Sequence, residues 1–441
     1  MATHLMFISA PGLRLGDLRD PAVTPNLREL VDRGWGRPIR STFPCVTSPV
    51  QASMWTGTGP GEHGVIANGF FHRERNEAAF WVGHNDVIAG EQIWTRLHRA
   101  GKTSAVWHAQ NIKGAAADFI VTPAPVHEAD GTTRLWCYSK PEGLYAQLLA
   151  EFGHFPLQHY WGPLAGIQSS EWITKAAAWL QKRHAPNLSF VYLPHLDYAA
   201  QKFGPDSPQA SAALAEFDRV VGQLVSELHS TVNGDVAWVV ASEYVMTRVD
   251  GAVFANRLLR EAGLLAVHTD ADGKERIDLA GCKAFALVDH QLAHVFLRGV
   301  DPWRAAEVFR GVCGVDRVLV GGERRELDLE HPRSGDIVLI STSNSWFAYY
   351  WWLDDAAAPG FARTVDIHAK PGYDPVELFI DPATRNIPID AALVRGSHGV
   401  PATSPRLEGA LICAGAPGVE PADLYRDTDM PNLICGILGC A

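Results

Sequence analysis

Short apolar runs alternate along the chain with segments whose apolar residues recur every three or four positions. LMFIS (5–9) is followed by TPNLRELVDRG. SAVWHA (104–109) and the periodic SSEWITKAAAWLQKR are followed by LSFVYLPHLD (188–197), and SAALAEFDRVVGQLVSELH by VAWVVASE (236–243). An uninterrupted apolar run of this length suits a strand buried on both faces, and a 3.6-residue period suits a helix packed on it. The alternation predicts an α/β fold, a mainly parallel sheet with helices on both faces. In such sheets functional groups gather beyond the C-terminal ends of strands. Pro11, Asp197 and Glu243 stand there, each close behind an apolar run.

From about residue 262 to 390 the texture changes. AFALVDHQLAHVFL reads as a strand, DPWRAAEVFRGV as a helix, and DRVLVGGERRELDL and SGDIVLIST as two more strands. The aromatic tract WFAYYWWLDD and the segment VDIHAKPGYDPVELFIDP follow, and the chain then returns through RGSHG to a last strand, GALICAG. The expected organisation is an α/β core of residues 1–261 with 391–441, carrying an inserted, smaller α+β subdomain with the aromatic-rich segment at 262–390. No internal repeat stands out.

Composition is that of an ordinary globular protein: 441 residues, 47% hydrophobic and 20% charged. A formal charge of −11 argues against nucleic acid or an anionic membrane as partner and leaves a small molecule, phosphorylated if a pocket is locally basic. Seven cysteines without metal-finger spacing, an odd number, read as free thiols. The N-terminus has no charged leader before a long apolar stretch, and no run reaches membrane-spanning length. The expected location is cytoplasmic.

The stretch FPCVTSPVQASMWTGTGPGEHGVIANG (43–69) combines a Thr-Ser-Pro turn, an apolar run and a glycine-rich loop. Thr-Ser-Pro before a helical pattern puts Thr47 at a helix N-terminus, with Pro49 in the first turn where its missing N–H is not needed. Unpaired N–H groups there favour an anion beside the Thr47 hydroxyl. Taken alone, a plain helix cap and an ordinary Gly-Pro-Gly turn explain the stretch better.

The ordered set changes that balance. FISAPGLR, TSPVQASMWTGTGPGEHGVIANG, LPHLDYAAQKFGPDS, VVASEYVMT, HPRSGDIVLIS and GSHG together resemble the type I phosphodiesterases and nucleotide pyrophosphatases of the alkaline phosphatase superfamily, over nearly the whole chain. The resemblance implies an alkaline-phosphatase-like fold and a phosphodiesterase or pyrophosphatase-like hydrolase of a small phosphorylated molecule. It puts the nucleophile on Thr47, nine residues before Thr56-Gly57, and the amide that binds a phosphoryl oxygen on Asn68. Thr42 competes as nucleophile but lies five residues too early for His63-Gly64 and Asn68.

The family's two divalent metals take mostly Asp and His ligands, and here the resemblance departs. The Asp expected after the first strand falls on Pro11. The Asp-x-x-x-His pair keeps Asp197 but has Gln201, and the later Asp-His pair becomes Glu243-Tyr244, while His398 is kept. A normal two-zinc site is not expected. The resemblance leaves at most one divalent ion (Mg, Mn or Zn) on Asp197, His398 and Gln201, or none, with Glu243 and Tyr244 as candidate catalytic groups and Glu243 as a base if burial raises its pKa.

Other segments carry two readings. His195, His290 and His294 in apolar runs read first as hydrogen-bonded structural residues, and Asp366, His368 and Lys370 as the brace of a turn. Trp346, Phe347, Tyr349, Tyr350, Trp351 and Trp352 read as core or, on an alternating strand, as one wall of a pocket. Beside hydrolysis stand two alternatives in the same pocket: a tailoring reaction using Glu243, Tyr244 and Asp197 as acid and base groups, and a binder of phosphate ligands without turnover.

Overall fold

A computed structural model describes residues 2–127, 133–229 and 236–440. In chain order the elements that build the frame are β1 (His4–Ser9), α1 (Pro25–Asp32), β2 (Gly34–Arg40), α2 (Thr47–Thr56), α3 (Ile93–Arg99), β3 (Ser104–Trp107), β4 (Phe119–Pro123), β5 (Cys137–Lys140) and α4 (Leu144–Phe152). Next come α5 (Ile167–His184), β6 (Leu188–Tyr192), α6 (His195–Phe203), α7 (Pro208–His229) and β7 (Val236–Ala241). The segment of changed texture holds β8 (Ala284–Asp289), β9 (Leu292–Leu297), β10 (Val315–Val320) and β11 (Ile337–Ser341). The chain closes with β12 (Gly409–Ala414), β13 (Tyr425–Arg426) and α8 (Met430–Leu438).

Nine strands form one sheet in the order β13-β2-β12-β7-β1-β6-β3-β4-β5. β12 and β5 run against the other seven, so the sheet is mainly parallel. Strand alternation explains why helices cover both faces. Leu5 and Phe7 of β1 join one apolar cluster with Val50, Trp55, Trp94 and Ile434 from α2, α3 and α8. Met6 and Ile8 point the other way, into a cluster with Leu27, Leu148, Ile173 and Phe217 from α1, α4, α5 and α7. All strands of this sheet lie before residue 242 or after 408. A separate four-stranded antiparallel sheet, in the order β8-β9-β11-β10, lies between them.

Three details depart from the sequence reading. AFALVDHQLAHVFL is two strands, because Asp289 pairs with Leu292 across a tight turn in which His290 takes a positive φ of 58°. No Gly, Asn or Pro marks that turn; it is held from outside, where the Gln291 N–H donates to the His398 carbonyl at 3.0 Å. The helix at DPWRAAEVFRGV is short, Pro302–Ala306, started by the Asp301 carboxylate accepting from the Arg304 N–H. The aromatic tract is not an alternating strand. Only Ser345–Phe347 is extended, and Trp346, Phe347, Tyr349, Tyr350, Trp351 and Trp352 are all buried in one cluster, so they are core and wall no pocket.

Candidate active site

Thr47 is the first residue of α2, as the Thr-Ser-Pro pattern predicts, and all ten residues of that helix are buried. The helix stops at Gly57, whose φ of 75° only glycine adopts without strain and whose N–H donates to the Ser53 carbonyl. Its first turn is capped from a distance: the Ser48 N–H donates to Asn68 Oδ1 at 2.9 Å. Asn68 is fixed in turn by Asp289, whose carboxylate accepts the Asn68 backbone N–H at 2.7 Å and its side-chain N–H at 3.1 Å. An amide nitrogen carries two N–H groups, so one on Asn68 remains uncommitted. The competing Thr42 is committed elsewhere, its hydroxyl and backbone N–H both donating to Asp427, at 2.6 and 2.8 Å.

The loops after β6 and β7 bring the other candidates to the same edge. Thr47 Oγ1 lies 3.2 Å from the Tyr244 hydroxyl, which donates to Asp197 Oδ2 at 2.9 Å. The Tyr244 ring lies flat on the His398 imidazole, centroids 3.5 Å apart and planes within 4°. His398 Nδ1 donates to the Cys45 carbonyl at 2.8 Å, so Nε2 carries the lone pair, and it has no partner. Glu243 Oε1 accepts from the Ser9 hydroxyl at 2.6 Å and from Gln51 Nε2 at 2.7 Å, while Oε2 has no partner. Pro11 is followed by Gly12, whose N–H donates to the Tyr244 carbonyl. Gln201 stands apart from Asp197 and His398 in its bonding: its Oε1 accepts from the Tyr373 hydroxyl at 2.7 Å.

Burial sets the electrostatics. Thr47 is 4% exposed, Asp197 7%, and Glu243 not at all. Burial pushes the Asp197 carboxyl up to about 7, with the Tyr244 bond pulling the other way, and the Glu243 carboxyl up to about 8 against the Ser9 and Gln51 donors. Asp289 rises less, to about 6, because its oxygens take the Asn68 N–H groups. Burial holds His398 and His290 well below the ordinary histidine value, so both are neutral.

Three residues that the sequence reading left out, or took as structural, belong to this network. The Asp289 carboxylate also accepts from His290 Nδ1 at 2.6 Å. The His290 ring lies 3.6 Å from Tyr373 and 3.9 Å from His398. Tyr373 sits on a segment braced by Lys370, whose ammonium donates to Asp374 at 2.8 Å and pairs with Glu377 at 2.6 Å, all three buried. No motif marks Asp289 or Tyr373; only the hairpin turn and the brace deliver them. His195 and His294 are structural, bonded to Glu216 and to the Ile66 carbonyl. Two cavities, of about 90 Å³ beside Phe71, Arg73 and Arg298 and about 340 Å³ beside Glu171, Lys175 and Arg219, are lined by no residue of the network.

The donor set does not fit a two-metal centre. Pro11 offers no side-chain donor, the Tyr244 hydroxyl is taken by Thr47 and Asp197, and Gln201 is taken by Tyr373. Among the described residues no three His, Cys, Asp or Glu side chains are grouped to hold an ion. One ion would find unpartnered atoms at Asp197 Oδ1 and His398 Nε2; Glu243 Oε2 is unpartnered too, but among the described residues the three are not grouped as a metal site.

Comparison with known proteins bears on the family. The model of the type I phosphodiesterase / nucleotide pyrophosphatase family matches residues 5–374. The chain is 26% identical over 228 residues to an uncharacterized pyrophosphatase/phosphodiesterase of Schizosaccharomyces pombe, covering 51% of this chain and 40% of that protein. It is 22% identical over 258 residues to human ectonucleotide pyrophosphatase/phosphodiesterase family member 5, covering 55% and 45%. The matches thus span less than half the length of these curated relatives. Among solved structures, phosphonoacetate hydrolase from Sinorhizobium meliloti 1021 in complex with phosphonoformate superposes with a TM-score of 0.65 at 19% identity, over 100% of this chain and 96% of that one. Its complex with phosphonoacetate gives 0.65 at 20%. Murine ectonucleotide pyrophosphatase / phosphodiesterase 5 gives 0.61 at 16%, over 99% and 95%. At these identities the likeness speaks for the fold, which is alkaline-phosphatase-like.

Proposed function

Because the chain belongs to the type I phosphodiesterase / nucleotide pyrophosphatase family, we propose that it is a phosphoric ester hydrolase of the phosphodiesterase type acting on a small phosphorylated molecule. Thr47 is the nucleophile in this reading and Asn68 the donor to a phosphoryl oxygen. The observation that carries it is the joint placement of Thr47 at the start of a buried helix and of Asn68 beside it, with one amide N–H uncommitted. In this reading Thr47 supplies the attacking oxygen and Asn68, bonded to the next residue of the helix, steadies the developing charge. The inserted unit at 262–390 serves the same site, since Asp289, His290 and Tyr373 come from it.

The proposed metal complement is at most one divalent ion, Mg, Mn or Zn, near Asp197 and His398. No step is routed through it. The small phosphorus-containing ligands of the Sinorhizobium hydrolase support a substrate of similar class. A cytoplasmic setting is part of the proposal; all seven cysteines are free, as thiols are in a reducing compartment, and no described helix is long and apolar enough to cross a membrane.

The test is a pair of variants assayed on bis(4-nitrophenyl) phosphate. Thr47→Val keeps the shape without the hydroxyl and is expected to abolish turnover with an unchanged thermal transition, while Thr47→Ser keeps part of it. Full-rate turnover by Thr47→Val would falsify the reading and shift attention to acid and base chemistry at Glu243 and Tyr244.

A further inference from the structure

The Thr47, Tyr244 and Asp197 side chains form a chain of hydrogen bonds whose direction can be assigned. A tyrosine hydroxyl has one hydrogen, and Tyr244 gives it to Asp197 Oδ2 at 2.9 Å. The 3.2 Å contact between Thr47 Oγ1 and the Tyr244 oxygen is then donated by Thr47. All three groups are buried, and the ring is clamped on His398. The Tyr244 oxygen thus stands as the acceptor for the Thr47 hydroxyl, with the Glu243 carboxyl as its neighbour.

We infer that Tyr244 does the work of an activating metal ion: Thr47, Tyr244 and Asp197 are a proton relay that lets the threonine attack phosphorus without a metal. The inference rests on the phosphoryl reading above. As the Thr47 oxygen bonds to phosphorus, its proton passes to the Tyr244 oxygen and the Tyr244 proton passes to the Asp197 carboxylate. The bond from phosphorus to the leaving oxygen breaks, and that oxygen keeps the electron pair and takes a proton from water. In the second half water attacks the phosphothreonine and loses its proton to solvent. The Thr47 oxygen leaves with its bonding pair and recovers the proton from Asp197 through Tyr244, so the relay returns to its starting state. Hydrogen-bonded chains of this kind are polarised as a unit in a buried setting.

The experiment combines metal analysis, chelation and two variants in the full chain, with bis(4-nitrophenyl) phosphate as probe and mass spectrometry for the covalent adduct at Thr47, a phosphothreonine that keeps one 4-nitrophenyl ester. Tyr244→Phe keeps the ring on His398 and removes the middle of the relay; Asp197→Asn removes its end. Each is expected to lower kcat by about 10²-fold or more with KM little changed, and the double variant to lose no more than either single one, as befits groups acting as a unit. The solvent deuterium isotope effect of the wild type is expected to shrink in Tyr244→Phe, which a merely structural tyrosine would not bring about. Turnover is expected to survive dialysis against EDTA, in protein with less than one equivalent of bound metal. The Thr47 adduct forming equally fast in Tyr244→Phe, or turnover lost to EDTA and restored by zinc, overturns the relay and leaves the phosphoryl reading standing. No Thr47 adduct and no turnover in the wild type overturns that reading, and the relay with it.

Discussion

The two halves of the site bury their carboxyl groups equally well and treat them differently. On the nucleophile side Asp289 accepts two N–H groups from Asn68 and one from His290, and its pKa rises only to about 6. On the side where the family places metal ligands, Asp197 accepts a single hydroxyl proton and rises to about 7. Glu243 has one oxygen without a partner and rises to about 8. Each donor aimed at a carboxylate offsets part of the burial penalty on its charge, and a like charge adds to it: Asp289 takes three N–H groups, whereas Glu243, despite the Ser9 and Gln51 donors, is raised further by the nearby Asp197. All three carboxyls are raised by burial, Asp289 the least.

The brace under Tyr373, which touches both halves through His290 and Gln201, gives the largest expected effect. Lys370→Met leaves Asp374 and Glu377 buried without their cation, and is expected to cost about 3–5 kcal/mol of stability, measured by urea denaturation. A loss below 1 kcal/mol would show that the Tyr373 segment is held by its apolar contacts instead. On the nucleophile side, Asn68→Ala removes both the cap on Ser48 and the spare amide N–H. Turnover on bis(4-nitrophenyl) phosphate is expected to drop about 10²-fold, mainly in kcat. An effect confined to KM would mean that Asn68 binds substrate without steadying charge in the transition state.

The smallest effect concerns pH. Asp197 and Glu243 hold their protons more tightly folded than unfolded, where carboxyls titrate near about 4. Their contribution to stability is therefore complete at low pH and is lost as pH rises through about 7 and 8. The thermal transition is expected to fall by a few degrees between pH 5 and 8, and Glu243→Gln, which cannot ionise, to flatten the upper part of that fall. A Glu243→Gln profile parallel to the wild type would place the titration elsewhere.

Much of this was legible before any coordinates. Short apolar runs alternating with helical patterns suit strands covered on both faces, so the sheet, its flanking helices and the placing of Asp197 and Glu243 beyond strand ends follow from local pattern. Thr47 was legible because a Thr-Ser-Pro turn starts a helix by local backbone preference, and Pro11, Gln201 and Tyr244 were legible as departures from the family's ligand types. The hairpin at His290 was not, because the turn is stabilised by His398, more than a hundred residues further on, and not by turn-forming residues of its own. The aromatic tract could not be sorted between core and pocket, since exposure belongs to what packs against a strand.

The chain alone therefore specifies the frame, the helix that carries Thr47 and the chemical types at the ligand positions, all consequences of near-neighbour sterics and apolar periodicity. Contacts across the fold supply the rest: the stacking of Tyr244 on His398, the partners that leave Glu243 Oε2 and Asp197 Oδ1 unsatisfied, and the delivery of Asp289 and Tyr373 from the segment between β7 and β12. Hydrogen-bond partnership and desolvation depend on distances between residues far apart in the chain, and no local pattern encodes those distances.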